Sequence, residues 1–281
     1  MSVAKALLSA VSTPRGAPAA LVLVSVVVVA ILADHLAPHA YDAQNLMRAN
    51  LPPSADHLLG TDEFGRDLFS RILYGARISL GVAVTSIGAS VAIGLVVGAV
   101  AGYAGGWVDR ILMAVVDLTW AFPEILIALV LIAVLGPGLG STAVAITVGY
   151  MAQFARLARA QIVALKGETY VEATVGLGAG HVHILMRHLV PNALTPVLVG
   201  GMLATGDAIV LEATLGYFGL GAQPPLPSWG AMMSSGVGQM FLAPWVIVFP
   251  GLAIAVTVVA INLFGDALID ALQIRNRLRE G

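Results

Sequence analysis

Long uncharged apolar runs are the feature that most constrains how this chain can fold. No charged residue occurs in the 31 positions of 78–108 or in the 53 positions of 213–265. About 20 apolar residues in a helix cross the roughly 30 Å hydrocarbon layer of a bilayer. Hydrophobic residues make up 58% of the 281 and charged residues only 11%, whereas a soluble domain has about 25% charged residues. The sequence therefore predicts an all-α, polytopic membrane protein.

Six apolar segments are long enough to be membrane spans. The first, residues 19–36, overlaps an uncharged run of 18 residues, 16–33. A signal peptide has a shorter apolar core and a small-x-small cleavage site, so we interpret this segment as a retained span. The other five predicted spans are 78–108, 111–135, 141–163, 194–217 and 245–268. Phe122-Pro123-Glu124 interrupts the 111–135 span, and Gly94, Gly98, Gly102 and Gly106 form a stripe that favours close helix packing.

The orientation follows from lysine and arginine, which are enriched on the cytoplasmic side of a membrane. Six spans place both termini on one side. If that side is inside, the inner segments hold ten basic residues: Lys5, Arg15, Arg110, Arg156, Arg159, Lys166, Arg187, Arg275, Arg277 and Arg279. The outer side then holds four: Arg48, Arg66 and Arg71 in the outer segment 37–76, and Arg77 directly after it. This count predicts a cytoplasmic N-terminal segment (1–18), a cytoplasmic loop (164–191) and a cytoplasmic basic tail (271–281).

The loop at 164–191 is an island of small and polar residues. Helix formers at 169–177 are followed by Gly178 and Gly180, and helical character resumes at 181–189. Because glycine costs about 1 kcal/mol in a helix interior and proline breaks helices, we expect two short helices that meet at a glycine turn and end at Pro191. A loop this short cannot bury a core of its own, which indicates that it docks onto another protein.

The loop residues carry a family resemblance. Glu172-Ala173, followed by Gly178 and later Pro191, resembles the EAA loop of ATP-binding-cassette (ABC) importer permeases, in which the loop forms a coupling helix that seats in a separate ATPase subunit. Thr174, His188 and Val190 depart from the usual alanine, isoleucine and leucine. The resemblance implies these ATPase-coupling residues: Glu172, Ala173, Thr174, Leu177, Gly178, Gly180, His181 and Pro191.

Three further blocks narrow the resemblance. His57-Leu-Leu-Gly-Thr-Asp-Glu-Phe-Gly-Arg-Asp67, the segment from Leu220 to Gly230, and Gly265-Asp-Ala-Leu268 resemble, in order, segments of the dipeptide, oligopeptide and nickel permeases, specifically the C-type subunit. The resemblance implies a type I importer permease fold, with a five-helix type-1 transmembrane domain at 77–270, in a bacterial inner or plasma membrane.

The resemblance also implies partners and cargo. The expected partners are a homologous B-type permease in a heterodimer, two ABC ATPase subunits or domains, and an extracytoplasmic substrate-binding protein. ATP and Mg²⁺ are then used by the ATPases, and this chain binds no cofactor. Dipeptides or short oligopeptides are the expected cargo, with nickel complexes, haem or another small solute as alternatives.

We interpret this chain as a subunit that has no catalytic activity of its own. Lys5 and Lys166 are the two lysines, and neither follows the glycine-rich phosphate loop Gly-x-x-x-x-Gly-Lys-Ser/Thr. We therefore expect no ATP hydrolysis and no catalytic residue in this chain. A net charge of −2 gives no reason to expect a nucleic-acid partner.

Four carboxylates lie within or near the predicted spans: Asp117, Glu124, Asp207 and Glu212. A carboxylate at the bilayer centre costs about 2.5–3.5 kcal/mol on insertion scales. We expect these residues to line the translocation pathway or a subunit interface, or to sit near the headgroups. The alternative from a different class is a proton-coupled secondary transporter that uses them as a relay.

Two groups of residues superficially suggest metal binding. The acidic cluster at 61–67 lacks the alternating acids and the distal glutamate of an EF-hand. His181 and His183 are two positions apart and point to different helix faces. The sequence predicts no metal site.

Overall fold

The chain folds almost entirely into helices. The computed structural model describes residues 3–280, with side chains described for 7–272, so Lys5 and the arginines of the predicted basic tail lie outside the described side chains. The helices are α1 (Val3–Val11), α2 (Gly16–Ile31), α3 (Ala33–Leu36), α4 (Leu68–Ala104), α5 (Gly106–Trp120), α6 (Glu124–Leu135), α7 (Leu139–Lys166), α8 (Thr169–Gly176), α9 (His181–His183), α10 (Val190–Tyr217), α11 (Trp229–Gly236) and α12 (Trp245–Glu280). A π-helical stretch, Ile184–Leu189, joins α9 to α10, and 3-10 turns lie at Leu46–Arg48 and Val237–Gln239.

Three stretches of the described chain are long and apolar enough to cross a membrane: 68–104, 181–217 and 245–272. The pair α5 and α6, bent by 88°, is a fourth if both helices belong to one span. That bend confirms the interruption predicted at Phe122-Pro123-Glu124. The first apolar helix, α2, has 16 residues, and α7 carries two arginines and a lysine toward its end. The helical membrane fold is confirmed, whereas the count of six crossings stays a prediction.

Helix α4 joins two elements that the sequence separates. In the outer segment 37–76, Leu68, Ile72 and Leu73 stand at helical spacing and predict an amphipathic helix before the second span. In the structure this helix and the second span form one helix of 37 residues. Asp67 caps its start, because the carboxylate Oδ2 accepts the backbone N–H of Ser70 at 2.8 Å. The helix ends where Gly105 takes a φ of 67°. No proline or other strong breaker lies between these two residues.

The glycine stripe packs α4 against α7. A Cβ added to Gly94 would lie 2.6 Å from the Cβ of Phe154, and one added to Gly98 would lie 2.8 Å from the Cβ of Ala158. A third, at Gly102, would lie 2.9 Å from the carbonyl oxygen of Arg159. The predicted close packing is therefore confirmed for these three glycines. Gly106 is the exception, because it begins α5 and has open space around it.

The predicted helix stop at Pro191 is wrong. Pro191 lies in the first turn of α10, and the helix continues to Tyr217. Proline is tolerated in a first turn because the N–H that it lacks has no helical partner there. The preceding turn is π-helical, which lets the chain pass from α9 to α10 without a break. Pro196 also lies inside α10.

The segment between α3 and α4 is held by buried polar contacts. Arg66 Nε lies 2.6 Å from Asp62 Oδ2, and Arg71 Nε lies 3.4 Å from the same oxygen. Thr61 accepts at its carbonyl from Trp245 Nε1 at 3.2 Å, which ties this segment to α12. Two of the acids that superficially suggested calcium ligands therefore pair with arginines: Asp62, and Glu63, whose Oε1 lies 3.5 Å from Arg66. The third, Asp67, contacts His57 and Ser70 instead.

Candidate functional site

The loop between α7 and α10 contains one short helix, α8, and a glycine turn, as predicted, whereas the second predicted helix begins at His181 and continues through the π-helical stretch into α10. Helix α8 ends at Gly176, and Gly178 has a φ of 81° before α9 begins at His181. This left-handed backbone favours glycine. Gly180 has a φ of −67°, which any residue adopts. The turn therefore depends on Gly178 and not on Gly180.

One face of this loop is anchored to the ends of the long helices. Val171 of α8 and Ile184 and Leu189 of the π-helical stretch are buried in one cluster with Ala99 of α4 and Ile162 of α7. The sequence led us to expect that the loop has no core of its own, and the described residues of the loop share a small core with α4, α7 and α10. A displacement of α8 must consequently move these helix ends or break the cluster.

Two hydrogen bonds add to this anchor. Tyr103 Oη, near the end of α4, lies 2.8 Å from Nδ1 of His181. Lys166 Nζ donates to the carbonyl oxygen of Tyr103 at 2.8 Å. Both contacts cross between elements distant in sequence. His181, one of the predicted ATPase-coupling residues, thus forms a hydrogen bond within its own chain.

The opposite face exposes apolar side chains, which define the loop face. Leu177 is 88% exposed and Val182 is 75% exposed, and Val175 and Met186 are also exposed. Glu172 and Ala173 lie exposed on α8 beside them, whereas Thr174 is half-buried and donates its hydroxyl to the Tyr170 carbonyl. Pro191 and Gly180 are exposed. The sequence did not single out Val175, Val182 or Met186, although apolar residues in a polar island were a usable signal.

Ion pairs link α5 and α7 near the loop. Arg159 Nε and one terminal nitrogen contact the two carboxylate oxygens of Asp109 at 2.5 and 2.6 Å. Arg156 contacts Asp117 at 2.5 Å and stacks 3.9 Å above the Trp120 ring centroid. The two acids and the two arginines of these ion pairs line a groove of about 860 Å³. Asp117, one of the four predicted carboxylates, is thus paired with a cation and exposed.

The other three predicted carboxylates lie apart from the loop. Glu124 begins α6 and is half-buried, with Gly149 of α7 facing its side chain. Asp207 is exposed on α10. Glu212 is fully buried beside Ser79 and Ser228, and neither of its carboxylate oxygens has a hydrogen-bond partner of normal geometry. Glu212 is thus enclosed by side chains of its own chain in this structure.

Comparison with known families matches most of the chain. A sequence model described as "Binding-protein-dependent transport system inner membrane component" matches residues 94–278. A second, described as "N-terminal TM domain of oligopeptide transport permease C", matches residues 18–53. The second match covers α2, α3 and the start of the polar segment before α4, and the first match includes the candidate loop.

Individual relatives agree with these matches. The glutathione transport system permease protein GsiD of Pectobacterium atrosepticum is 43% identical over 257 residues, covering 90% of this chain and 85% of the relative. The dipeptide transport system permease protein DppC of Alkalihalophilus pseudofirmus is 39% identical over 252 residues, covering 90% and 83%. A chain from inward-facing structures of the MetNI methionine ABC transporter has a TM-score of 0.59 at 21% identity, covering 73% of this chain and 97% of that chain. This last likeness concerns the fold alone.

Proposed function

Because the chain belongs to the family of binding-protein-dependent inner membrane components, as a permease subunit of the peptide-type ABC importers, we propose that it forms half of a translocation pathway for short peptides. The other half is a homologous B-type permease. The loop at 164–191 couples the pathway to two ATPase subunits or domains, which bind the ATP and Mg²⁺, and a binding protein delivers the peptide on the opposite side.

The observation that carries this proposal is the contrast between the two faces of the loop. Val171 is buried against the ends of the long helices, whereas Leu177 and Val182 are left in solvent. Burying a Val, Leu or Met side chain is worth about 1.5–3 kcal/mol. An exposed apolar face on an anchored helical turn is therefore suited to seat in a cleft of another protein.

The anchored face supports the transmission of force. Pulling or tilting α8 acts on α7 through Ile162, on α4 through Ala99 and Tyr103, and on α10 through Leu189. These are three of the longest helices in the described chain. When the ATPases close, the loop face moves with them, and we propose that the attached helices then rock between two arrangements of the pathway.

The orientation and the inner-membrane location are part of the proposal. The ten-to-four excess of basic residues supports a cytoplasmic loop face, since ATPase partners use cytoplasmic ATP. The N- and C-termini are then cytoplasmic as well. The segment between α3 and α4 faces the binding protein on the outer side.

Short peptides are the proposed cargo because the relatives are named for glutathione and dipeptide transport. Both substrates are small and carry a free ammonium group. We propose that Glu124 and Asp207, the half-buried and exposed carboxylates remote from the loop, face the pathway or the second permease, where a carboxylate keeps access to water or to a cation.

The test is uptake by the complete transporter in proteoliposomes with labelled dipeptide or glutathione. Uptake is expected to require ATP, both permeases and the binding protein, and to survive collapse of a pH gradient. Uptake by this chain alone, driven by a pH gradient, would instead establish the proton-coupled alternative. Matched uptake of a nickel complex or haem but of no peptide would overturn the cargo assignment alone.

A further inference from the structure

Three metal-ligating side chains converge between α3 and the start of α4. His39, His57 and Asp67 each offer one ligand atom, and these atoms all lie within 4.8 Å of one another. Asp67 Oδ1 is 2.9 Å from Nδ1 of His57 and 3.8 Å from Nδ1 of His39. The imidazole ring centroids are 5.0 Å apart. The set is two imidazoles and one carboxylate oxygen.

The buried charge of Asp67 is a second observation that points to a cation, and it does not depend on the spacing of the three ligand atoms. Its side chain is 1% exposed. A buried carboxylate is normally paired with a cation or bound to a metal. The neighbouring Arg66 and Arg71 both turn to Asp62 instead. Among the side chains that the structure describes, the groups within 4 Å of the Asp67 carboxylate that can carry positive charge are the two imidazoles.

The two oxygens of Asp67 have different partners. Oδ2 accepts from the backbone N–H and the hydroxyl of Ser70, at 2.8 and 2.7 Å. Oδ1 faces the histidines alone, and the Ser70 hydroxyl oxygen accepts the backbone N–H of His39 at 3.2 Å. Outer contacts of this kind orient the ligands of metal sites. Ser70 thus fixes both the carboxylate and the backbone of one histidine.

The spacing suits a small tetrahedral cation. Zinc–nitrogen and zinc–oxygen bonds of about 2.0–2.2 Å place neighbouring ligand atoms roughly 3.3 Å apart in a tetrahedron. The two separations from Asp67 Oδ1, 2.9 and 3.8 Å, bracket this value, and all three ligand atoms lie within 4.8 Å of one another, so side-chain movement within the cluster brings them to the geometry of one ion. Nδ1 of His57 faces Asp67, and Nε2 of the same ring is buried with no hydrogen-bond partner among the described residues.

We propose that His39, His57 and Asp67 bind one Zn²⁺ ion, with solvent as the fourth ligand on the side where His39 is exposed. The ion supplies the positive charge that the buried carboxylate lacks. It fastens the chain that leaves α3, at His39, to the capped start of α4, at Asp67. This site is remote in the chain from the coupling loop and does not depend on the proposed function.

The test is zinc retention by the full transporter, purified without a polyhistidine tag. After chelator treatment, the complex is equilibrated with Zn²⁺, dialysed against zinc-free buffer and analysed by elemental mass spectrometry. One zinc per copy of this chain is expected above the amount in a complex carrying His39→Gln. The zinc affinity of that variant is expected to be at least tenfold lower. His39 is partly exposed, so this change tests the site without opening the core.

Matched controls distinguish zinc bound at this site from zinc bound by other histidines of the chain. His35→Gln, on the neighbouring helix α3, is expected to keep the zinc. A triple variant in which His181, His183 and His188 are changed to Gln tests the histidines of the coupling loop and is expected to keep it too. His57→Gln is expected to lose the zinc while the assembled complex still elutes as one species.

Thermal unfolding gives a readout that does not depend on counting metal. Zn²⁺ is expected to raise the unfolding temperature of the wild-type complex but not that of the His39→Gln complex, because a ligand that binds only the folded state stabilises it. Mg²⁺, a hard cation that prefers oxygen ligands, is expected to have no effect. Equal zinc content in wild type and His39→Gln, or zinc lost only in the loop triple variant, would overturn the proposal.

Discussion

The hydroxyl of Tyr103, near the end of α4, lies 2.8 Å from Nδ1 of His181, the first residue of α9. Seventy-eight positions separate the two residues. This contact joins a membrane helix directly to the turn that carries the loop face. Together with the buried cluster around Ile162 and Ile184, it supports a mechanical link between the loop and the helices.

Replacing Tyr103 with Phe removes this hydrogen bond and keeps the ring. A typical hydrogen bond contributes about 0.5–1.5 kcal/mol to stability, so the transporter is expected to assemble. We expect fewer peptides transported per ATP hydrolysed, measured by uptake and phosphate release in the same proteoliposomes. Tyr217→Phe, an exposed tyrosine on α10, serves as the control and is expected to leave the ratio unchanged. An unchanged ratio in both variants would contradict the proposed link.

Gly178→Ala strains the turn between α8 and α9. The φ of 81° at Gly178 costs a residue with a Cβ about 1–2 kcal/mol. An added Cβ there meets open space, so strain is the expected effect rather than a clash. We expect reduced ATP-driven uptake with normal assembly of the two permeases. Gly180→Ala, at an ordinary backbone conformation, is the matched control; a larger loss of uptake there would contradict the assignment of the turn.

Gly98→Ala places a methyl group against α7. The added Cβ would lie 2.8 Å from the Cβ of Ala158, too close without separating α4 from α7. Overpacking typically costs about 1–3 kcal/mol. We expect a lower unfolding temperature of the detergent-purified complex. Gly88→Ala, on the same helix with nothing within 4 Å, is expected to leave it nearly unchanged or raise it.

Asp62→Asn leaves two buried arginines without their shared carboxylate. Arg66 and Arg71 both contact Asp62, and breaking a buried ion pair costs about 3–5 kcal/mol. We expect a large fall in the unfolding temperature or poor membrane insertion. The control is Asp34→Asn, which removes an exposed ion pair with Arg77 and is expected to change stability little. Equal effects from both variants would contradict the buried network.

The sequence predicted bends and turns of the backbone better than it predicted which side chains are exposed. The bend at Pro123 and the glycine turn at Gly178 follow from local backbone chemistry and are found as predicted. Val171 and Val175 are four positions apart and share one face of α8, yet the first is buried and the second exposed. What distinguishes them is the packing of Ile184 and Leu189 from beyond the turn, a contact that no local pattern specifies. The predicted helix stop at Pro191 was wrong for a similar reason. The π-helical stretch before it ends at Leu189, so Pro191 lies in the first turn of α10, where proline is tolerated.

The central claim is that the loop face lies in the cytoplasm against an ATPase. The chain has no cysteine, so a single cysteine at Val182, on the loop face, or at Met47, in the segment before α4, reports on one position. With the complete transporter in spheroplasts, Val182→Cys is expected to resist a membrane-impermeant thiol reagent and to crosslink to the ATPase subunit, with an efficiency that changes when ATP binds. Met47→Cys is expected to react with the reagent and not to crosslink. If the external reagent labelled Val182→Cys, and only Met47→Cys crosslinked to the ATPase, the proposed cytoplasmic position of the loop face would be contradicted.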